Sequence, residues 1–186
     1  MRKLKLQMNI TMDGFVGDTN GKLDWMLPEV DQKQIDFMNK LTKTVDTIVL
    51  GRKMATESIP HWEKIAKTNK KDQETEYAKF FTRTSKIVFS KSLKSIEGEN
   101  VHIEATDLKE SMRQLKQKPG NDLIVYGGAT FVSSLLHENL IDELNLCVHP
   151  VALGKGLPIF QEHSKFKLIK SDSYENGIVL NTYQPL

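Results

Sequence analysis

Cysteine is almost absent: Cys147 is the single one in 186 residues. One thiol cannot close an internal disulfide, so nothing in the chain calls for an oxidising compartment. A large excess of charge is missing too. The 26 Lys and Arg against 24 Asp and Glu leave a net +2, too little to argue for nucleic acid or an anionic membrane surface as a partner. Long hydrophobic runs are also lacking. The stretch from Met1 to Met12 is broken by Arg2, Lys3, Lys5, Gln7 and Asn9, which fits neither a signal peptide nor a spanning helix. A cytoplasmic protein is expected. There are no repeats, low-complexity tracts or evident linkers, so residues 1–186 are expected to form a single domain with a substantial core. The histidines, His61, His102, His137, His149 and His163, have no metal-ligand spacing, and each is expected at the surface or in a satisfied core. No metal site is expected.

What is present alternates between strand and helix patterns. Leu4, Leu6, Met8 and Ile10 alternate with polar residues, which predicts a strand with one buried face. A glycine-rich loop follows from Thr11 to Gly21. Apolar positions between Val30 and Val45 fit a helix placed just after Pro28. Val45–Leu50 and Lys86–Ser90 read as further strands, with Val101–Glu104 a short one. The lysine-rich stretch Trp62–Lys79 reads as a loop plus a polar helix, its charges mostly solvated. Asp107 is placed to cap a helix, with Glu110 in capping-box register and Pro119-Gly120 as the stop. Glu143–Val151 alternates as a strand. Phe166–Ile169 and Ile178–Tyr183 form a closing hairpin through Asn176-Gly177.

The stretch with the clearest chemistry runs from Leu123 to Leu136. A buried strand, Leu123–Tyr126, meets Gly127 and Gly128, and helical spacing resumes with Phe131, Val132, Leu135 and Leu136. Glycines at a helix start leave backbone N–H groups open to an anion, helped by the helix dipole. The same pair could equally do no more than end the strand. Strand–helix alternation predicts an α/β fold with a mostly parallel sheet covered on both faces and antiparallel strands at one edge. Ligands in such sheets sit beyond the carboxyl ends of the strands. There the loops after Ile10, Leu50, Phe89 and Tyr126 would bring Arg52, Lys53, Ser90 and Lys91 to the diglycine. No Gly-x-Gly-x-x-Gly follows any strand, so the usual dinucleotide fingerprint is absent.

In this order, these segments resemble the dihydrofolate reductase superfamily, and more closely the reductase domain of the bifunctional riboflavin-biosynthesis deaminase-reductases. Met12-Asp13-Gly14-Phe15-Val16-Gly17 is similar to the loop that closes over the nicotinamide, and Gly51-Arg52-Lys53 to the start of the helix facing the cofactor phosphates. Ser90-Lys91-Ser92-Leu93 is similar to the turn for the adenosine 2′-phosphate, and Tyr126-Gly127-Gly128-Ala129, continued by Thr130, to the pyrophosphate seat. Leu140–Glu143 and Pro150–Pro158 continue the pattern.

The resemblance implies a dihydrofolate reductase-like three-layer sandwich and NADPH as cofactor. It also implies hydride transfer to a C=N or C=O group of a small heterocycle, as in 5-amino-6-(5-phosphoribosylamino)uracil reductases, and a homodimer. The cofactor contacts it implies are Gly14, Phe15, Val16, Gly51, Arg52, Lys53, Ser90, Lys91, Leu93, Tyr126, Gly127, Gly128, Ala129 and Thr130. Met12, Trp25, Val30 and Asp31 would border the substrate. Asp13 either relays a proton beside the nicotinamide or forms an Asx turn. The chain departs from dihydrofolate reductases where an acid should follow Leu27-Pro28 by two residues, since Val30 stands there. The zinc ligands of the deaminase half are missing. A pterin reductase and a non-catalytic nucleotide-binding protein remain the alternatives.

Overall fold

The computed structural model describes residues 1–28, 31–68 and 70–186; the expectations for Val30 and for the start of the first helix lie outside them. The elements are β1 (Leu4–Thr11), α1 (Gln32–Thr42), β2 (Val45–Gly51), α2 (Arg52–Ala66), α3 (Gln73–Arg83), β3 (Ser85–Phe89), β4 (Val101–Glu104), α4 (Leu108–Gln117), β5 (Asp122–Val125), α5 (Ala129–His137), β6 (Glu143–His149), β7 (Phe166–Ser173) and β8 (Val179–Pro185). The strands form one sheet in the order β4-β3-β2-β5-β1-β6-β8-β7. Pairing is parallel from β4 through β6 and antiparallel for β6–β8 and β7–β8. This is the expected α/β architecture, with helices on both faces and an antiparallel closing hairpin.

Each face has its own core. Leu4, Leu6, Met8 and Ile10 of β1 pack with Met112 and Leu115 of α4 and with Val132 and Leu135 of α5. On the other face Ile48, Leu50, Val88 and Ile124 meet Leu41 of α1, Ala55 and Ile59 of α2, and Phe80 and Phe81 of α3. The Tyr174–Ile178 turn closes the β7–β8 hairpin, with Gly177 at φ +83° and its N–H donating to Tyr174 O at 3.0 Å. A glycine takes this left-handed position without a Cβ penalty.

Three expectations need correction. β1 is buried on both faces, because it lies between β5 and β6 inside the sheet; Lys5 and Gln7 are each 8% exposed. Lys5 Nζ is satisfied there by Asp122 and the Thr44 hydroxyl, both at 2.9 Å. Trp62 belongs to no loop. It sits on α2, edge-on to Tyr77 of α3 with centroids 4.8 Å apart, so the stretch opens on the end of a helix, and the expected polar helix is α3, from Gln73. Asp107 does cap α4, accepting from Glu110 N at 3.0 Å, but Glu110 Oε1 accepts from Gln114 Nε2 at 2.8 Å.

Candidate active site at the carboxyl edge of the sheet

Among the described residues, five helices start in two different ways. α1, α3 and α4 begin at Asp31, Asp72 and Asp107, whose carboxylates accept backbone N–H groups of the first turn. α2 and α5 begin at Gly51 and Gly128, with no side-chain cap and no acidic residue in the first turn. Those two helices follow β2 and β5, which are neighbours in the sheet. Their amino ends are therefore side by side at its carboxyl edge.

The two starts touch. A Cβ on Gly51 would stand 2.9 Å from Phe131 Cβ and Cγ of α5, so only glycine lets the helices approach this closely. Gly128 sits at φ +74°, which costs a residue with a side chain 1 kcal/mol or more, as an order of magnitude. Beneath the pair lie apolar side chains. A Cβ on Gly127 would meet Met8 Cε at 3.4 Å and Met54 Sδ at 3.6 Å, and Phe131 packs against Phe89 with centroids 5.7 Å apart. The result is a floor of methionine and phenylalanine under two sets of unshared N–H donors. Each helix end carries a partial positive charge of roughly half a unit, and Arg52 and Lys53, both exposed, add full charges at the mouth. The arrangement can hold an anion that bridges two helices, as a pyrophosphate does.

Ser90 follows β3. Its Oγ accepts from Leu93 N at 2.9 Å and Ser92 N at 3.3 Å, while its N–H donates to Glu104 O at 3.0 Å. The side chain thus shapes a tight turn that carries Lys91 outward. Glu104, at the end of β4, is committed to Thr106 through its Oε1, at 3.0 Å from the backbone N and 2.6 Å from the hydroxyl.

The loop after β1 is pinned rather than free. Met12 N donates to Val151 O and Val16 N to Leu157 O, both at 2.9 Å, while Leu157 N donates to Gly17 O; Phe15 bridges to Pro158 in antiparallel fashion. A Cβ on Gly156 would stand 2.4 Å from Gly17 O, so the Gly154-Lys155-Gly156 run is where the second loop lies flat on the first. Asp13 ties them further. It accepts from Leu153 N at 2.9 Å, Gly154 N at 2.7 Å and the Thr11 hydroxyl at 2.5 Å. The Thr11 hydroxyl, then these N–H groups, hold its carboxyl below the usual aspartate range. The Asx turn expected at Asp13 is not formed; Phe15 N bonds the Thr11 hydroxyl instead.

On the α1 side of the sheet, Trp25 stands edge-on to His149, and Asp31 caps α1. Asp31 accepts from Lys33 N at 2.7 Å and Glu175 N at 3.2 Å. Met12 is 67% exposed. The Tyr126 hydroxyl is buried beside the Tyr77 ring, and burial raises its pKa. So the carboxyl edge gathers Gly14, Phe15, Gly51–Lys53, Ser90–Leu93 and Tyr126–Thr130 along four strand ends, with Trp25 and Asp31 on one flank. Sequence reading missed Met54 and Phe131 as the floor, and it missed His149 and Asn9. The spacing from Gly51 to Met54, one helical turn, was the available signal for the first.

Residues 2–180 match the RibD C-terminal domain family. Two Bacillus subtilis (strain 168) proteins, both named as uncharacterized, match nearly end to end. YyaP is 33% identical over 186 residues, 98% of this chain and 94% of its own; YwjB is 29% identical, covering 97% of each. Among solved structures, a candidate riboflavin biosynthesis protein of Shewanella sp. PV-4 superposes with TM-score 0.74 at 22% identity, covering 100% of this chain and 99% of its own. The Thermotoga maritima diaminohydroxyphosphoribosylaminopyrimidine deaminase/5-amino-6-(5-phosphoribosylamino)uracil reductase superposes with TM-score 0.69 at 18% identity, over 100% of this chain and 57% of its own. The fold, the paired glycine helix starts and the match over residues 2–180 lead to one assignment: this chain is a member of the RibD C-terminal domain family.

Proposed function

We propose that the protein is a cytoplasmic NADPH-dependent reductase of the 5-amino-6-(5-phosphoribosylamino)uracil reductase type, transferring hydride to a C=N or C=O group of a small heterocycle. The observation that carries this reading is the pair of glycine helix starts, Gly51 and Gly128, packed together without caps or acids. Bound NADPH would supply the hydride. In this reading α2 and α5 hold the pyrophosphate, Arg52, Lys53, Ser90 and Lys91 hold the 2′-phosphate, and Gly14, Phe15 and Val16 border the nicotinamide. An NADH site would want a carboxylate for the ribose hydroxyl, whereas the turn after β3 offers Ser90 and Lys91. Asp13 serves the reading as the anchor of the nicotinamide loop, its carboxylate being fully engaged. A pterin reductase is less well supported, because Asp31 is spent on capping α1.

The reading also includes a homodimer. Its support is a depression of about 430 Å³ on the β6–β8 side, where Phe160, Phe166 and Tyr183 reach the surface beside Glu162 and Ser164, over buried Leu144 and Leu146. Sedimentation velocity giving a monomer at micromolar concentration would remove that part. For the cofactor, Arg52→Ala and Ser90→Ala are each expected to lower the NADPH-over-NADH binding preference at least tenfold, or about 1.4 kcal/mol, with NADH affinity little changed. Fluorescence titration reads both constants, and an unchanged preference would contradict the assignment. Binding of NADPH without its oxidation across uracil, pterin and carbonyl substrates would favour a non-catalytic binder.

A further inference from the structure

A glycine cradle explains how an anionic cofactor is held, but it leaves a set of buried polar atoms on the α1 face without a role. His149 ends β6 and is 2% exposed. Both edges of its ring are engaged. Leu27 N donates to Nδ1 at 3.4 Å, and Nε2 lies 3.1 Å from Asn9 Oδ1 on β1. The Trp25 indole meets the imidazole at 87°, centroids 5.3 Å apart. Its Nε1 is buried with no hydrogen-bond partner among the described residues.

The tautomer follows from these contacts. A backbone N–H can only donate, so Nδ1 must offer a lone pair. Burial holds the imidazole pKa below its ordinary value. Among the described residues burial acts on the ring without an offsetting charge: β1 presents Asn9 and Thr11, Trp25 and Leu27 face it from the segment before α1, and β6 presents Cys147, a thiol whose own pKa burial pushes up to about 11. The ring is therefore neutral with its proton on Nε2, and Nε2–H donates to Asn9 Oδ1. With its oxygen committed, the Asn9 amide keeps its NH₂ group to offer elsewhere.

Building on the reductase reading, we propose that His149 is a positioning residue. It holds Asn9, half-buried on β1, so that the amide NH₂ presents hydrogen-bond donors to the carbonyl or imine edge of the hydride acceptor. Donors fixed at that edge bind the acceptor and stabilise the negative charge that grows on it as hydride arrives. Protonating His149 would put an N–H on Nδ1 facing the Leu27 N–H and break the tether of the Trp25–Leu27 segment. The sign of the pH effect is fixed. As pH falls below about 6.5, the unfolded chain takes up a proton that native His149 refuses, so stability declines until the native ring is charged as well.

The test pairs wild type with Asn9→Asp, whose carboxylate has the same shape and favours an imidazolium. Nitrogen-15 NMR of histidine-labelled protein should show His149 protonated on Nε2 at neutral pH and titrating below the ordinary histidine value. In Asn9→Asp that titration should rise by at least about one pH unit. Barbiturate, a ring edged with carbonyl acceptors, should bind the NADPH-saturated wild type and bind Asn9→Asp at least tenfold more weakly by calorimetry. A proton on Nδ1, an unmoved titration, no barbiturate binding to wild type, or equal binding by both proteins would each overturn the proposal. The wild-type spectrum stands even should Asn9→Asp fail to fold. NADPH affinity, measured on the same samples, reports the reductase reading separately: intact NADPH binding with any of these failures removes only the role of His149.

Discussion

Gly128→Asp should bind NADPH at least 100-fold more weakly than Gly128→Asn, a difference of about 2.7 kcal/mol. Position 128 opens α5 at φ +74°, beside Phe131 and Met54. Aspartate and asparagine have the same size and suffer the same backbone strain there, so their difference reports charge alone. A carboxylate at the uncapped helix start would face the phosphates at short range. Two unit charges about 4 Å apart interact by roughly 4 kcal/mol near a protein surface, and salt trims that. Either side chain can cap the α5 N–H groups, so that competition is common to both variants and cancels in the ratio. Fluorescence titration of both variants reads the ratio. Equal affinities would mean that the α5 start is not where the cofactor's charge resides.

Lys86→Met is expected to cost about 3–5 kcal/mol of folding stability, since every buried acceptor left unpaired costs roughly 1–3 kcal/mol. Lys86 lies on β3 and is 0% exposed. Its Nζ donates to the carbonyls of Phe81, Thr82 and Thr84 at 2.8, 2.9 and 2.8 Å, and it sits over the Phe81 ring at 5.2 Å. These carbonyls lie at the carboxyl end of α3, where the helix has no N–H groups left to satisfy them; Thr82 O also accepts from Asn100 Nδ2 at 3.3 Å, so the Phe81 and Thr84 carbonyls carry most of the loss. Burial pushes the amine down to about 8, while Glu63 and Glu99 pull it up. Methionine keeps the volume and apolar stem, so the loss isolates the three polar contacts. Urea unfolding measures it. A loss below about 1 kcal/mol would show that water replaces the amine at little cost.

The elements that were legible in the sequence are those fixed by neighbours. The Asp107 cap, the Asn176-Gly177 hairpin and the Gly127-Gly128 turn all depend on contacts a few residues apart, and all appear where the pattern places them. What was not legible depends on distant partners or on a misleading local signal. Pro60 lies inside α2, where Ala55 and Ile59 are fully buried and tertiary packing outweighs the lost hydrogen bond. The burial of Lys86 has no local signal, because its acceptors come from the end of another element. The His149–Asn9 contact joins positions 140 residues apart, and no spacing rule reaches that far. The candidate site divides the same way: its glycines announce themselves, whereas the Met54 and Phe131 floor and the tethered imidazole emerge only once the strands are placed in order.

The central claim is that the paired starts of α2 and α5 hold the pyrophosphate of NADPH. A crystal structure of the protein soaked with NADPH tests it most directly. The account predicts pyrophosphate density between Gly51–Lys53 and Gly127–Thr130, with the nicotinamide beside Gly14 and Phe15. Density for the cofactor elsewhere, or a soaked crystal in which these helix starts contact only solvent, would contradict it.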